Sequence, residues 1–487
     1  MKSCAYHVLL MLTITTSVYG NAWVARYNGP GSADDDVVAI ALDGSNNVFV
    51  AGSTFSNDSS YDYTTVKYDP NGNLLWEMRY NGPDNRSDFA KAMAIDGSGN
   101  VYVTGGSLSD SNGMDYATVK YDPCGIQLWA SRYNYTDNDF DQASDITVDN
   151  SGNVYVTGGS FSYVNGQDYA TVKYNSSGTQ LWASRYDGTA HLWDMATAIG
   201  IDGSGNVYVT GMSNDGNYVN DYATVRYWTS DGSQHWVQRY NGPGDSDDSA
   251  YDLVVDSSGS VYVTGCSFGA TSYDYATIKY NSSGTQLWTP AARYNGPSDG
   301  YDEARAIALD TSGNVYVTGY CWDESTSTDY ETIKYDSGGT QLWEARYNGP
   351  GNSNDDAWSL AVDGSGNVYV TGGSYANDII SDDYATVKYN SSGVEQWSAR
   401  YNGRGHNNDV AVDIVLDASG NVYVTGKSVG PGTGADFLTI KNPNEVGYCL
   451  GPMASDLDSD CKVDFADFAL FVLEWLHCNY DQPEFCW

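Results

Sequence analysis

Residues 90–133 read AKAMAIDGSGNVYVTGGSLSDSNGMDYATVKYDPCGIQLWASRY. The first run, residues 90–95, stops at the tight turn Asp96-Gly97-Ser98-Gly99-Asn100. A second run follows at 101–104, a third at 115–121 after a variable loop, and a fourth at 127–133 after Asp122-Pro123-Cys124-Gly125. Apolar residues alternate within the runs, and turn residues separate them, which predicts four antiparallel strands. Four such strands make one blade of a propeller.

The unit recurs. Val-Tyr/Phe-Val-Thr/Ala-Gly begins at Val48, Val101, Val154, Val207, Val261, Val315, Val368 and Val422, at a period of 53 or 54 residues. Eight copies at a near-constant period predict a closed or stacked array. Seven copies finish on a tryptophan and an Arg-Tyr pair: Trp76, Trp129, Trp182, Trp236, Trp288, Trp343 and Trp397. The eighth stops at Lys441, after its third strand, and the missing piece stands at the other end as Trp23, Arg26 and Tyr27. The expected fold is therefore all-β: an eight-bladed β-propeller of four-stranded antiparallel blades over residues 21–441, closed by the N-terminal strand. Closure removes two sheet edges that would otherwise pair with other chains. Between Trp288 and Arg293 one copy gains two residues, including Pro290, which suits the outermost strand of a blade. In the first strand, positions one and three before the turn Asp are Leu, Ile, Val or Met, and positions two, four and six are mostly small. That alternation predicts a bulky face and a small face that interdigitate between blades.

Charge and composition narrow the function. A formal net charge of −39 from 62 acidic and 23 basic residues argues against nucleic-acid binding and against docking on anionic membrane. Aromatics at 14% argue against a disordered acidic chain. Lys2 and the apolar run Val8-Leu9-Leu10-Met11-Leu12 read as a secretory signal over residues 1–20, with cleavage after Gly20 or Ala22. A secreted or cell-surface location follows, with no membrane span after signal removal. Seven cysteines would remain: Cys124, Cys266, Cys321, Cys449, Cys461, Cys478 and Cys486. The last four crowd the C-terminus and read as two disulfides. Cys461 and Cys478 flank a helix about 18 Å long at ~1.5 Å per residue, and a disulfide spans only about 4.4–6.8 Å between Cα atoms. Those two are expected not to pair.

The runs GNVYVTG, DYATVKY and LWASRYNGP resemble the bacterial SBBP β-propeller repeat, over roughly residues 23–441. That resemblance implies a propeller and says little about chemistry. The family name implies seven blades, and eight are counted here. The Gly-x-x-x-Trp spacing (Gly72 to Trp76, Gly125 to Trp129, Gly178 to Trp182) is similar to the tryptophan-docking turn of eight-bladed quinoprotein dehydrogenases. Those enzymes typically set a vicinal cysteine pair against the cofactor, and no two cysteines here are adjacent. The turn between the third and fourth strands is also similar in placement to the Asp-box of sialidases, with a different spacing.

Several residue series could carry chemistry. Asp35, Asp88, Asp141, Asp194, Asp248, Asp302, Asp355 and Asp409 each lie eight residues before a turn Asp. They read either as a Ca²⁺-binding ring, or as structural groups that accept backbone N–H bonds or pair with the repeat Arg. Lys67, Lys120, Lys173, Arg226, Lys279, Lys334, Lys388 and Lys441 share one third-strand position. Arg26, Arg79, Arg132, Arg185, Arg239, Arg293, Arg346 and Arg400 share one fourth-strand position. Both series could line anion sites, or pair with carboxylates and stack on aromatic rings. The long loops carry aromatics beside acids at Phe140, Trp193, Tyr301, Trp322 and Trp358, a chemistry that suits sugar stacking or protein contact. His191 and His406 lie in blade-to-blade loops.

At the C-terminus, past a linker over 442–454, residues 455–487 form a second unit. Asp456, Asp458, Asp460, Lys462 (through its carbonyl), Asp464 and Asp467 fall at positions 1, 3, 5, 7, 9 and 12 of an EF-hand-type loop, an oxygen cage for Ca²⁺. Residues 465–476 read as an amphipathic helix with Phe468, Phe471, Val472 and Trp475 on one face. The unit resembles half of a type I dockerin, a resemblance that implies a cohesin-like partner. It has one loop, with Cys461 at the position usually held by Gly. Together these features read as a secreted, non-catalytic scaffold that binds an extracellular protein or glycan through its long-loop face, with a calcium-dependent C-terminal attachment or sorting module. The alternative is an extracellular polysaccharide-active enzyme, a lyase or glycosidase. Such an enzyme should break the repeat with a constellation in one place.

Overall fold

The computed structural model describes residues 22–442 except 32, 58–59, 111–112, 136–139, 164–165, 218, 377–380, 404–406 and 431–433. The signal over 1–20, His406, the calcium loop Asp456–Asp467 with its helix, and Cys449, Cys461, Cys478 and Cys486 lie outside the described residues. No described helix is long and apolar enough to cross a membrane. Cys124, Cys266 and Cys321 are free thiols.

Among the described residues the chain forms eight four-stranded antiparallel sheets. We number them as blades 1 to 7 over residues 36–80, 88–133, 141–186, 194–240, 248–294, 302–347 and 355–401, and blade 8 over 409–441. Blade 8 is completed by Trp23–Tyr27, which pairs with Ala435–Lys441 from Trp23 opposite Lys441 to Tyr27 opposite Phe437. The expected closure by the N-terminal strand is what the structure shows.

Each turn between the first and second strands is built from its own aspartate. Asp96 Oδ1 accepts the Ser98 and Asn100 N–H groups at 2.9 and 3.0 Å, and Oδ2 accepts Asn100 Nδ2 and the Tyr102 hydroxyl at 2.7 and 2.9 Å. Gly99 takes φ +80°, open to glycine without strain. The motif is thus self-contained, because its donors lie two to six residues from the acceptor.

Second and third strands are buried on both faces between neighbouring blades, as in Val101–Ser109 and Gly113–Tyr121. Among the described residues, as many as three side chains of a blade donate to the next. The Tyr116 hydroxyl donates to the Ala170 carbonyl at 3.1 Å, and the same bond recurs around the ring. Trp76 Nε1 and Lys67 Nζ both donate to one carbonyl of the next blade, that of Pro123, at 3.1 Å each. Trp23 and Lys441 do the same to Pro70 at 3.1 and 3.2 Å, so blade 8 grips blade 1 with two of the three bonds, Phe437 standing where the tyrosine would be. The tryptophan rests on the positive-φ glycine of that next turn. A Cβ at Gly178 would stand 2.6 Å from the Trp129 ring.

The fourth-strand arginines pair with third-strand aspartates of their own blade. Arg26–Asp436, Arg79–Asp62, Arg132–Asp115, Arg185–Asp168, Arg239–Asp221, Arg293–Asp274, Arg346–Asp329 and Arg400–Asp383 lie between 2.5 and 3.0 Å. The first-strand aspartates take the backbone role instead: Asp88 accepts from Gly82 N, and Asp409 from Gly403 N, both at 2.6 Å. The eight therefore sit as structural N–H acceptors, and the arginines belong to a different carboxylate. The diagonal cross-strand geometry, with Arg132 opposite Ala117 and Asp115 two residues away, decides that choice.

One feature breaks the expected alternation. The first strand of every blade bulges: Ala143 pairs with Gly158 and Asp145 with Thr157, leaving Ser144 unopposed. The bulge residues are Val38, Lys91, Ser144, Thr197, Tyr251, Arg305, Trp358 and Val412. A bulge re-aims side chains and shifts the period, so position six before the turn no longer shares a face with position four. At position four, Asp145, Asp252 and Asp413 tie blades together. Each accepts its neighbour's N–H and one from the next blade, Ile199, Ile307 and Ile40, at 2.8 to 3.0 Å. Burial pushes Asp145 up to about 7 and Asp252 up to about 6.

Candidate functional site

Departures from the eightfold pattern gather on blade 6. The bulge residues of blades 5, 6 and 7 are Tyr251, Arg305 and Trp358, and they meet. The Arg305 guanidinium lies 5.0 Å from the Tyr251 ring centroid, 4.7 Å from that of Trp358 and 5.8 Å from that of Tyr320. Stacked cation–π contacts of this kind hold a guanidinium in one orientation. Arg305 is ion-paired with the buried Glu303, whose Oε2 also accepts the Tyr301 hydroxyl. The Tyr301 and Tyr320 rings stack at 6.1 Å with an 18° interplanar angle, and Tyr273 lies 5.0 Å from Tyr301. Cys266 Sγ lies 3.7 Å from the Tyr251 hydroxyl. Burial and the nearby Glu303 charge push the Cys266 thiol up to about 12, so it stays protonated and is no nucleophile.

Of the five aromatics expected on long loops, the structure brings Tyr301 and Trp358 into this group, with Trp322 beside it through the Tyr301 backbone; Trp322 and Trp358 stand in strands Val315–Asp323 and Asp355–Val362 rather than in loops. Tyr301, Trp322 and Trp358 stay 39%, 36% and 39% exposed, enough to present ring surface outward. The Trp322 N–H donates to the Tyr301 carbonyl at 3.2 Å, and its indole covers Gly300. Phe140 and Trp193 are also exposed, each immediately before the first-strand Asp of blades 3 and 4, and neither shares a ring contact with the blade-6 group. The sequence reading missed Tyr251, Glu303, Arg305 and Tyr320. One signal was available for Arg305, which belongs to neither repeating basic series.

Other candidates resolve as structure. The third-strand cations bridge blades by donating to carbonyls while lying over a second-strand ring, as Lys120 does 4.9 Å from Tyr102. His191 Nδ1 meets Asp187 Oδ2 at 2.6 Å, and that bond and charge raise its pKa. Carboxylate oxygens of Asp168, Asp187 and Asp194 lie within 4.8 Å of one another. Arg185 and His191 balance two of them. Elsewhere a cavity of about 520 Å³ opens over blades 8, 1 and 2, lined by Asp34, Asp35, Asp36, Tyr61, Phe89 and Lys427.

Comparison with known proteins agrees with this architecture. The β-propeller repeat called SBBP matches residues 79–111, 235–267 and 292–323. Three stretches of this chain match that repeat. Each runs from the last strand of one blade into the second strand of the next. An uncharacterized WD repeat-containing protein, L264 of Acanthamoeba polyphaga mimivirus, is 24% identical over 89% of this chain and 32% of its own length. The chain thus spans about a third of that relative. Among solved structures, the quinohemoprotein alcohol dehydrogenase ADHIIG of Pseudomonas putida HK5 superposes with a TM-score of 0.54 at 14% identity, over 89% of this chain and 77% of that one. The quinohemoprotein alcohol dehydrogenase of Comamonas testosteroni gives 0.51 at 12%, over 90% and 78%. Likeness at this identity speaks for the fold alone.

Proposed function

We propose that the protein is a secreted, non-catalytic propeller that binds a carbohydrate on its loop face, with the blade-6 group as the contact surface. The observation that carries this reading is the pair of exposed rings Tyr301 and Trp358 held about Arg305 and Glu303 where the repeat is broken, with the exposed Trp322 next to them. Rings held by stacking and an ion pair lose little conformational freedom on binding, and they offer flat faces to the C–H surface of a sugar. The net charge of −39 disfavours polyanionic glycans and leaves neutral or amine-bearing ones. Glycan-array screening followed by titration tests this. Trp358→Ala is expected to weaken binding at least ~10-fold, the scale of a well-packed aromatic anchor, while Phe140→Ala leaves it unchanged. Absence of glycan binding, or equal affinity in the Trp358 variant, refutes the reading. Shortening of the bound glycan would make the chain a polysaccharide lyase or glycosidase, the second reading, which the placement of Glu303 against Tyr301 and Arg305 favours.

The C-terminal residues Asp456, Asp458, Asp460, Lys462, Asp464 and Asp467 belong to the same proposal as a Ca²⁺ loop serving attachment to a cohesin-like partner. Calorimetric calcium titration of the full chain is expected to show a site that the double substitution Asp456→Ala, Asp460→Ala removes. Unchanged affinity in that variant counts against the loop.

A further inference from the structure

Blade 6 departs from the repeat a second time, on its outer half. Its third strand carries Glu331 where other blades carry Ala117, Ala170, Ala223, Ala276 and Ala385. Glu331 is 1% exposed, and its Oε1 has no hydrogen-bond partner. A buried, unsatisfied carboxyl is costly, and an alanine at the same place in five sister blades shows that the fold does not require it. Arg346, directly opposite on the fourth strand, departs as well. Its sister arginines donate to a second-strand serine such as Ser267 or Ser374, but here that residue is Cys321. Arg346 keeps the third-strand Asp329 at 2.7 Å, as its sisters keep theirs, but in place of the serine it reaches Asp323 at 3.1 Å, and its Nη2 is left without a hydrogen-bond partner. Across the interface, the fourth strand of blade 5 is cut to Ala292–Tyr294, three residues where the others have five or seven.

These departures meet at one place. A crevice of about 410 Å³ between blades 5 and 6 is lined by Tyr294, Asn295, Pro297, Glu331, Glu344 and Arg346. We propose that this crevice binds a small molecule carrying an ammonium group with an oxygen function beside it, in the size range of a free amino acid or an amino sugar. Glu344 and Glu331, the latter releasing its proton to solvent as the cation enters, supply the two carboxylates for the ammonium, and the Tyr294 phenol stands alongside. The unpartnered Nη2 of Arg346 supplies a charged donor for the adjacent hydroxyl or carboxylate. An ammonium also suits the strongly acidic chain. The site is separate from the blade-6 ring group and does not depend on the glycan reading.

Titration calorimetry with glucosamine, N-acetylglucosamine and lysine, each on the intact protein, tests the proposal. Saturable binding of glucosamine or of lysine is expected, and which of the two binds identifies the source of the ammonium. N-acetylglucosamine, which lacks the charge, should not bind. Glu331→Ala restores the residue of five sister blades, so it should fold. It is expected to lose at least ~10-fold in affinity, as for a charged hydrogen bond, and to melt higher than the parent. Trp358→Ala should bind the ammonium ligand normally, which separates this site from the loop-face one. No binding of either ammonium compound, or N-acetylglucosamine binding as well as glucosamine, overturns the proposal. So does unchanged affinity in Glu331→Ala, or a lower melting temperature in that variant.

Discussion

Removal of residues 22–27 is expected to leave a chain that fails to fold or aggregates. The deletion strips the outer strand of blade 8 and exposes the backbone edge of Ala435–Lys441, a strand buried along its whole length. It also removes Trp23 and Tyr27, whose side chains pack with Phe437, Val48 and Tyr423 across the seam between blades 8 and 1. Each aromatic truncation costs about 3–5 kcal/mol, so two of them approach the net ~5–15 kcal/mol that holds a domain folded. Arg26, which pairs with Asp436 and donates to the Ser428 carbonyl at 2.7 Å, goes with them and leaves a buried carboxylate behind. A permuted chain with the same six residues moved behind Lys441 by a short linker should fold and run as a monomer, because the strand pairing is restored. Size-exclusion chromatography and thermal melting decide it. A monomeric deletion variant with the parent melting temperature would sink the closure argument.

The second large effect is on pH. Burial holds many carboxyls above their ordinary range: Asp35, Asp88, Asp302 and Asp355 to about 6, Asp409 to about 7, and the blade-bridging Asp145 to about 7. The folded state keeps these protons after the unfolded chain has lost them. Their contribution is full below the ordinary carboxylate pKa and is lost as pH rises to about 7. The turn aspartates behave oppositely. Partial burial opposes ionisation of Asp96 and Asp310, but their bonds from Asn100 and Asn314 outweigh it and hold them low. That contribution is present above the ordinary pKa and lost on further acidification. The melting temperature should therefore climb by ~5 °C or more from pH 8 to a maximum near ~5, then fall below ~4. Relief of general charge repulsion has the same sign but is screened by salt. Two further measurements separate the causes: the slope should persist in high salt, and Asp409→Asn should flatten it. Greatest stability at pH 8, with steady loss on acidification, would contradict this account.

Blade number, strand order and the closing strand were all legible in the amino-acid sequence, because each rests on local chemistry or counting. The Asp96 turn closes on donors within six residues of itself, so its motif announces a turn wherever it stands. A displaced Trp-Arg-Tyr set is visible to anyone aligning eight copies. Partner choice was a different matter. Which carboxylate each arginine would meet depended on diagonal placement across a strand pair, and spacing along the chain does not reveal it. Asp413 finds the Ile40 N–H, 373 residues away, only when the ring is shut. The candidate site was half legible: exposed aromatics could be named, but not that Trp322 and Trp358 would stand in strands, nor which of them would meet. Tyr251, Arg305 and Trp358 stand in three different blades and come together because a bulge turns each first strand at the same point. A bulge is one extra residue in a register set by the partner strand, and that register is decided only when the blade has formed.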